Sequence, residues 1–351
     1  MMRMGDQNPE LRGGGPLAVA WVAAVAITAL AVGAGLAAAN TSVDIDEALY
    51  RRVVTDMRAG AGYYDAVQFG ADQSFSGEVP RQLGHVWAVR PPTAYLVWRL
   101  ADPDAWRWLV ALPIGASLVA LVMLSRRGPR WSASVAVGLA SLWVLRFTPH
   151  LYLHTELWSM PLLLWGAALL RRRPAMAAAV LLSAALTREI LVVGLLVGLV
   201  VVLADGRDRD PRRAAMPWLA AIAVWAVALV VHSSLAVDAL TPGVADPPFW
   251  NPALGADYRL GAFFPGQSWL PSAPLVVFLV GLAGAWMARG RDPAARFVVT
   301  LCPLLTAATL VVARPYWQPM WALLPLPWVS TAVMSAYQST VIWSRPGSGS
   351  G

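Results

Sequence analysis

The chain has no lysine, so all 27 of its basic residues are arginine, and it has one cysteine, Cys302, set inside an apolar run. A single cysteine excludes an intramolecular disulfide, and hydrocarbon surroundings hold a thiol in its neutral form, which argues against a thiol nucleophile. Charge is scarce as well. Only 13% of the 351 residues are Asp, Glu or Arg while 58% are hydrophobic, far from the balance of a soluble domain. Neither a Gly-x-x-x-x-Gly-Lys-Ser/Thr loop nor a dinucleotide glycine pattern occurs, so no recognisable nucleotide cradle is present. No internal repeat of about 20–50 residues is visible, which argues against a repeat-built transporter.

What the chain has in abundance is long apolar runs. With about 17–25 residues taken as one membrane crossing, ten spans are predicted, at 17–39, 107–125, 131–147, 157–170, 174–187, 190–204, 215–236, 273–288, 297–313 and 321–338. The expected fold is therefore all-α and polytopic, a single integral membrane domain over 1–345 with a flexible tail at 346–351. Ala37-Ala38-Ala39 resembles a signal-peptidase site, but the run before it is longer than a signal h-region, which favours an uncleaved first span. The fifth and sixth spans, around Thr187-Arg188-Glu189, read as broken or tilted helices meeting at a turn.

The net charge of +7 invites a nucleic-acid partner, but the arginines fall in short clusters between apolar runs and report topology instead. Arg126, Arg127, Arg130, Arg171, Arg172, Arg173, Arg212 and Arg213 share one side with the N-terminus. Most acids fall on the other side. The positive-inside rule then makes the N-terminus cytoplasmic in a bacterial plasma membrane. The two long loops, 40–106 and 237–272, are extracytoplasmic, and so is any chemistry. Nucleotide sugars are scarce there, so an activated substrate has to arrive on a membrane carrier.

The first of those loops opens on Ser42-Val43-Asp44-Ile45-Asp46-Glu47-Ala48-Leu49-Tyr50. From Asp46 onward, Leu49, Tyr50, Val53, Val54 and Met57 recur at helical spacing and Arg51, Arg52, Asp56 and Arg58 fall largely elsewhere, the pattern of a helix lying in the membrane interface. Asp44 and Glu47 form a capping-box spacing, and Glu47 has Arg51 as a partner four residues on. Asp46 has neither job, so it is the carboxylate that structure explains least.

Four further places carry chemistry-bearing residues. Arg90, before Pro91-Pro92, reads either as a phosphate ligand or as an interfacial arginine snorkelling to headgroups. His150 and His154 with Glu156 supply a weak alternative metal site, lacking a third histidine or a second local carboxylate; without metal, Glu156 reads as a hydroxyl ligand or an orienting group. Arg188 and Glu189 interrupt an apolar run, either as a site or as a self-neutralising pair at a hairpin. Arg314, Tyr316 and Trp317 read as a phosphate contact with a sugar-stacking surface, or as an aromatic belt.

Asp46-Glu47-Ala48-Leu49-Tyr50, an amphipathic helix ending near Arg58-Ala59-Gly60, and Arg90-Pro91-Pro92 before an aromatic helix together resemble the first-loop layout of the GT-C membrane glycosyltransferases, in particular the aminoarabinose and protein O-mannosyl transferases. The Glu156 segment and Thr187-Arg188-Glu189 resemble features of polyprenyl-dependent bacterial members. The resemblance implies a glycosyltransferase that moves a sugar from a polyprenyl-phosphate carrier to a glycolipid, polysaccharide or protein acceptor, with inversion. It implies Asp46 as base, with Asp44, Glu47 and Glu156 as secondary acids. Arg90, Arg188 and Arg314 would face the phosphate, and His154, Glu189, Tyr316 and Trp317 the substrate. No cofactor is required on this reading, with a divalent metal as the alternative, and membrane lipids are partners while nucleic acid is not. The competing expectation is a transporter or flippase for a lipid-linked or anionic substrate, with Arg188, Glu189 and His154 along its path.

Overall fold

The computed structural model describes residues 45–72, 89–126, 131–147, 152–205, 210–240, 272–312, 321 and 323–343. Every regular element among them is helical: α1 (Ile45–Arg58), α2 (Tyr63–Asp72), α3 (Thr93–Trp98), α4 (Trp106–Leu109), α5 (Ala111–Ser125), α6 (Ser132–Phe147), α7 (Thr155–Leu169), α8 (Pro174–Thr187), α9 (Val192–Asp205), α10 (Pro211–Ala236), α11 (Ser272–Ala288), α12 (Pro293–Val312) and α13 (Val329–Trp343). Each apolar stretch foreseen beyond residue 106 carries a helix, while 17–39 lies outside the described residues. The last helix starts later than expected. Pro325 and Pro327 shape a turn and a 3-10 segment, Leu326–Trp328, ahead of it, since proline lacks the N–H that a continuous helix needs.

Between α7 and α10 the helices alternate up and down. Leu181 of α8 lies against Gly166 of α7 and Gly194 of α9, and the ring of Trp218 in α10 lies where a side chain on Gly198 of α9 would be. At 1.5 Å per residue α8 and α9 are each about 21 Å long, short of the roughly 30 Å of a bilayer core. Among the described residues two helical stretches are long and apolar enough to cross a membrane, Trp106–Ser125 and Pro211–Ala239. Much of α10 faces outward, with Met216, Leu219, Val224, Val227 and Val230 exposed.

Alternation gathers the arginines at one end of the bundle. There Arg171 makes a bidentate pair with Asp292 at 2.9 and 2.6 Å and donates to the Met123 carbonyl at 3.0 Å, tying α7 to α5 and to the α11–α12 connection. Asp292 also accepts from Ala294 N at the start of α12, and Arg296 pairs with Asp205. The elements of the first long loop pack at the opposite end.

α1 is amphipathic as its sequence predicts, with Leu49, Tyr50, Val53, Val54 and Met57 all buried. Its apolar face is covered by protein, however, not left for lipid: Tyr50 packs edge-on against Tyr95 of α3 and against His154. The helix stops at a glycine turn. Gly60 takes φ 106°, a conformation costly for other residues, and Ala61 N reaches back to the Asp56 carbonyl at 3.0 Å.

Candidate functional site

The site end is built from four separate pieces of chain. α1 delivers Tyr50, the segment before α3 delivers Arg90, the start of α7 delivers His154 and Glu156, and the break between α8 and α9 delivers Arg188 and Glu189. That break has a local cause. Arg188 is extended, with φ −146° and ψ 109°, and a 3-10 turn, Glu189–Leu191, follows before α9 begins. The extended residue turns the Arg188 side chain into the bundle, where it is fully buried.

Burying a guanidinium demands counter-charge. Glu156, itself buried, supplies it at 2.7 Å from Arg188, and Glu189 adds a longer contact at 3.6 Å. Thr155 donates its hydroxyl to Glu156 at 3.1 Å, and His154 Nδ1 sits 4.0 Å from the same carboxylate. The hairpin reading of Arg188-Glu189 thus holds in part: the pair lies at the break between α8 and α9, but its neutralisation comes chiefly from Glu156.

Arg90 completes the cluster. Its guanidinium hydrogen-bonds the Tyr50 hydroxyl, and its charge is felt by Glu156 and Glu189. Burial alone would lower the Arg90 pKa, but Tyr50, Glu156 and Glu189 outweigh that and raise it, so the group is a permanent cation. Two arginines and two glutamates leave the cluster close to neutral.

The backbone around Arg90 is fixed on both sides. Tyr63 of α2 donates to the Arg90 carbonyl at 2.5 Å, and His232 Nε2 lies 3.1 Å from the Val89 carbonyl. A carbonyl only accepts, so Nε2 carries the proton and Nδ1 accepts from the Tyr64 hydroxyl, 2.9 Å away. Burial pushes the Tyr63 phenol well above its usual range, with Tyr50, Tyr64 and Glu189 acting the same way and Arg90 opposing, which keeps it a donor.

Of the residues that the sequence singles out, Arg90, His154, Glu156, Arg188 and Glu189 meet here. Asp46 and Glu47 lie in the first turn of α1, where the structure describes their backbone alone; Asp46 sits one turn ahead of Tyr50, the i, i+4 relation that places two residues on one helix face. Asp44, His150, Arg314, Tyr316 and Trp317, with the whole of 241–271, lie outside the described residues. Arg51, expected to serve Glu47, donates to Tyr152 and Asp104, both at 2.8 Å.

Two of the three residues of the alternative metal site, His154 and Glu156, are described. His154 is extended, with φ −87° and ψ 130°, and α7 begins after it, while His150, the other histidine of that alternative, lies outside the described residues. Among the described residues no three His, Cys, Asp or Glu side chains converge as a metal site. Tyr63, Tyr64 and His232 were not foreseen. His232 had a signal, as the one ionisable residue in the 215–236 run.

Beside the cluster, on the far side of Pro91-Pro92, runs a groove of about 290 Å³ between α8, α10 and the start of α3. Comparison of the chain with protein-family models finds no match, and comparison with curated proteins finds no match either.

Proposed function

We propose that this protein is a polytopic membrane glycosyltransferase of the GT-C kind, taking its sugar from a polyprenyl-phosphate carrier on the extracytoplasmic side. One juxtaposition carries the proposal: the hydrogen bond between Tyr50 and Arg90 joins the helix of Asp46 to the Arg-Pro-Pro segment, which are forty residues apart in sequence and separately quoted in the resemblance. The two parts that the chemistry requires, a carboxylate base and a cation for the departing phosphate, thereby fall to neighbouring elements.

In this mechanism Asp46 removes the proton from an acceptor hydroxyl as its oxygen attacks the anomeric carbon. The bond from that carbon to the phosphate oxygen breaks with inversion, and the polyprenyl phosphate leaves with both electrons. Arg90 offsets its charge, joined by Arg314 from the 313–320 segment. In this reading Arg188, fully buried and paired with Glu156, acts on the phosphate through its charge, and Glu156 stands beside His154 and Arg90. The short helices α8 and α9 form a hairpin whose turn, with Arg188 and Glu189, lies at the end of the bundle where α1 packs, which fits a shared extracytoplasmic side in this reading.

The test is sugar transfer by the purified protein in nanodiscs, from a panel of polyprenyl-phosphate sugars to crude envelope lipid. Asp46→Asn is expected to lose about 10²–10⁴-fold in rate while still binding donor, and a chelator is expected to leave transfer unchanged. Undiminished transfer by Asp46→Asn would remove the base assignment. Facilitated movement of an anionic lipid without any transfer would favour the transporter, for which the buried Arg188–Glu156 pair is the supporting feature.

A further inference from the structure

The groove beside Pro91-Pro92 differs from the charge cluster in kind. Its walls are apolar, with Ala185 and Leu186 of α8 facing Trp225, Ala228, Leu229 and Leu235 of α10. Val231 and Leu235 on its rim belong to the exposed apolar face of α10, so the groove is continuous with the surface that a bilayer would cover. Among the described residues no arginine lines it, and the one charged lining residue is Glu189. Oxygen Oε1 of that carboxylate faces Arg188 at 3.6 Å, and Oε2 takes no hydrogen bond among the described residues. Tyr64, Thr93 and His232 complete the polar end.

We infer that this groove is a lateral binding site for one apolar chain whose head group donates hydrogen bonds and carries no negative charge, a hydroxyl- or amine-headed amphiphile. A buried carboxylate oxygen without a partner is costly, and an incoming O–H or N–H relieves it. An anionic head in the same place would meet the Glu189 carboxylate on the groove side, while Arg188 and Arg90, which offset Glu189, stand behind it and outside the groove wall, a like-charge contact that selects against it. A volume of about 290 Å³ suits a single chain end with a small head and not a bulky multi-chain lipid.

The inference does not require the transfer reaction, but it deepens that reading. The Arg90 guanidinium interacts with Tyr50, Glu156 and Glu189 and does not line the groove, which is walled by the next three residues, Pro91, Pro92 and Thr93. Donor phosphate and acceptor hydroxyl would then approach from different sides of one short segment, and the acceptor would be a lipid taken from the membrane.

Photolabelling tests the site directly. Three hexadecyl probes with a diazirine on the chain and an alcohol, amine or phosphate head are applied to the full chain in nanodiscs, and cross-linked peptides are mapped by mass spectrometry. The alcohol and amine probes are expected to label residues 185–189 and 225–235 about tenfold more than the phosphate probe. Glu189→Gln is expected to bring the phosphate probe near parity, and Ala228→Trp, which fills the groove, to abolish labelling there by all three. Phosphate labelling equal to or above alcohol labelling in the unaltered chain would overturn the head-group assignment. Undiminished labelling in Ala228→Trp would overturn the site. Neither readout uses sugar transfer, so a failed transfer assay leaves both outcomes interpretable.

Discussion

Tyr63 and His232, far apart in sequence, hold adjacent carbonyls: the Tyr63 hydroxyl donates to Arg90 O and His232 Nε2 to Val89 O. Together they fix the plane from which the Arg90 side chain departs. Loss of one such hydrogen bond is worth about 1 kcal/mol. In Tyr63→Phe the donor KM is expected to rise about fivefold with little change in kcat, measured by steady-state transfer. His232→Ala, which also strands the Tyr64 hydroxyl, is expected to cost more. His232→Gln keeps a donor for Val89 and is expected to recover part of the loss.

The Arg188–Glu156 pair predicts an asymmetry in stability. Arg188→Met leaves Glu156 buried without its nearest cation and is expected to cost about 3–5 kcal/mol, whereas the double variant Arg188→Met/Glu156→Leu is expected to recover most of that. Thermal unfolding in detergent reads both. A double variant no more stable than Arg188→Met would show that the charges themselves are not what the fold depends on.

At the arginine end, Asp292 has two jobs, pairing with Arg171 and accepting from Ala294 N at the start of α12. Asp292→Asn keeps a cap acceptor and loses the charge; Asp292→Ala loses both. Alanine is expected to be the less stable by about 1 kcal/mol. Because both partners of the pair are only 7% exposed, raising the salt concentration is expected to leave the difference unchanged.

Close packing of α9 on α10 gives a fourth test. A methyl group on Gly198 would run into the Trp218 ring, so Gly198→Ala is expected to lower the Tm, by about 1–3 kcal/mol of overpacking. Gly115 has nothing within 4 Å of an added carbon, and Gly115→Ala is expected to be neutral or stabilising, as in any open helix interior.

The helices were legible because apolar runs are long and the arginines punctuate them, and the buried face of α1 was legible because one helix carries its own periodicity. Pairings between elements were not. Glu156 reads locally as an acid near two histidines, and nothing in its neighbours names Arg188 as its partner. The Arg188-Glu189 doublet did announce that a charge would be buried, since such residues are expensive in an apolar run. Arg51 shows the limit, because an i, i+4 carboxylate is visible in sequence while Asp104 and Tyr152 are close only after folding. For the same reason α1 looked like an interfacial helix: amphipathicity states that one face is covered, not by what.

The position of Arg188 at the turn of a short hairpin also bears on how the chain is assembled. In a membrane, a lone arginine near mid-depth costs about 2.5–3.5 kcal/mol on the scale set by the insertion machinery. Glu156 is synthesised before Arg188 and stands at the head of the helix against which α8 packs. On the proposed membrane reading the counter-ion is thus synthesised before the charge it satisfies.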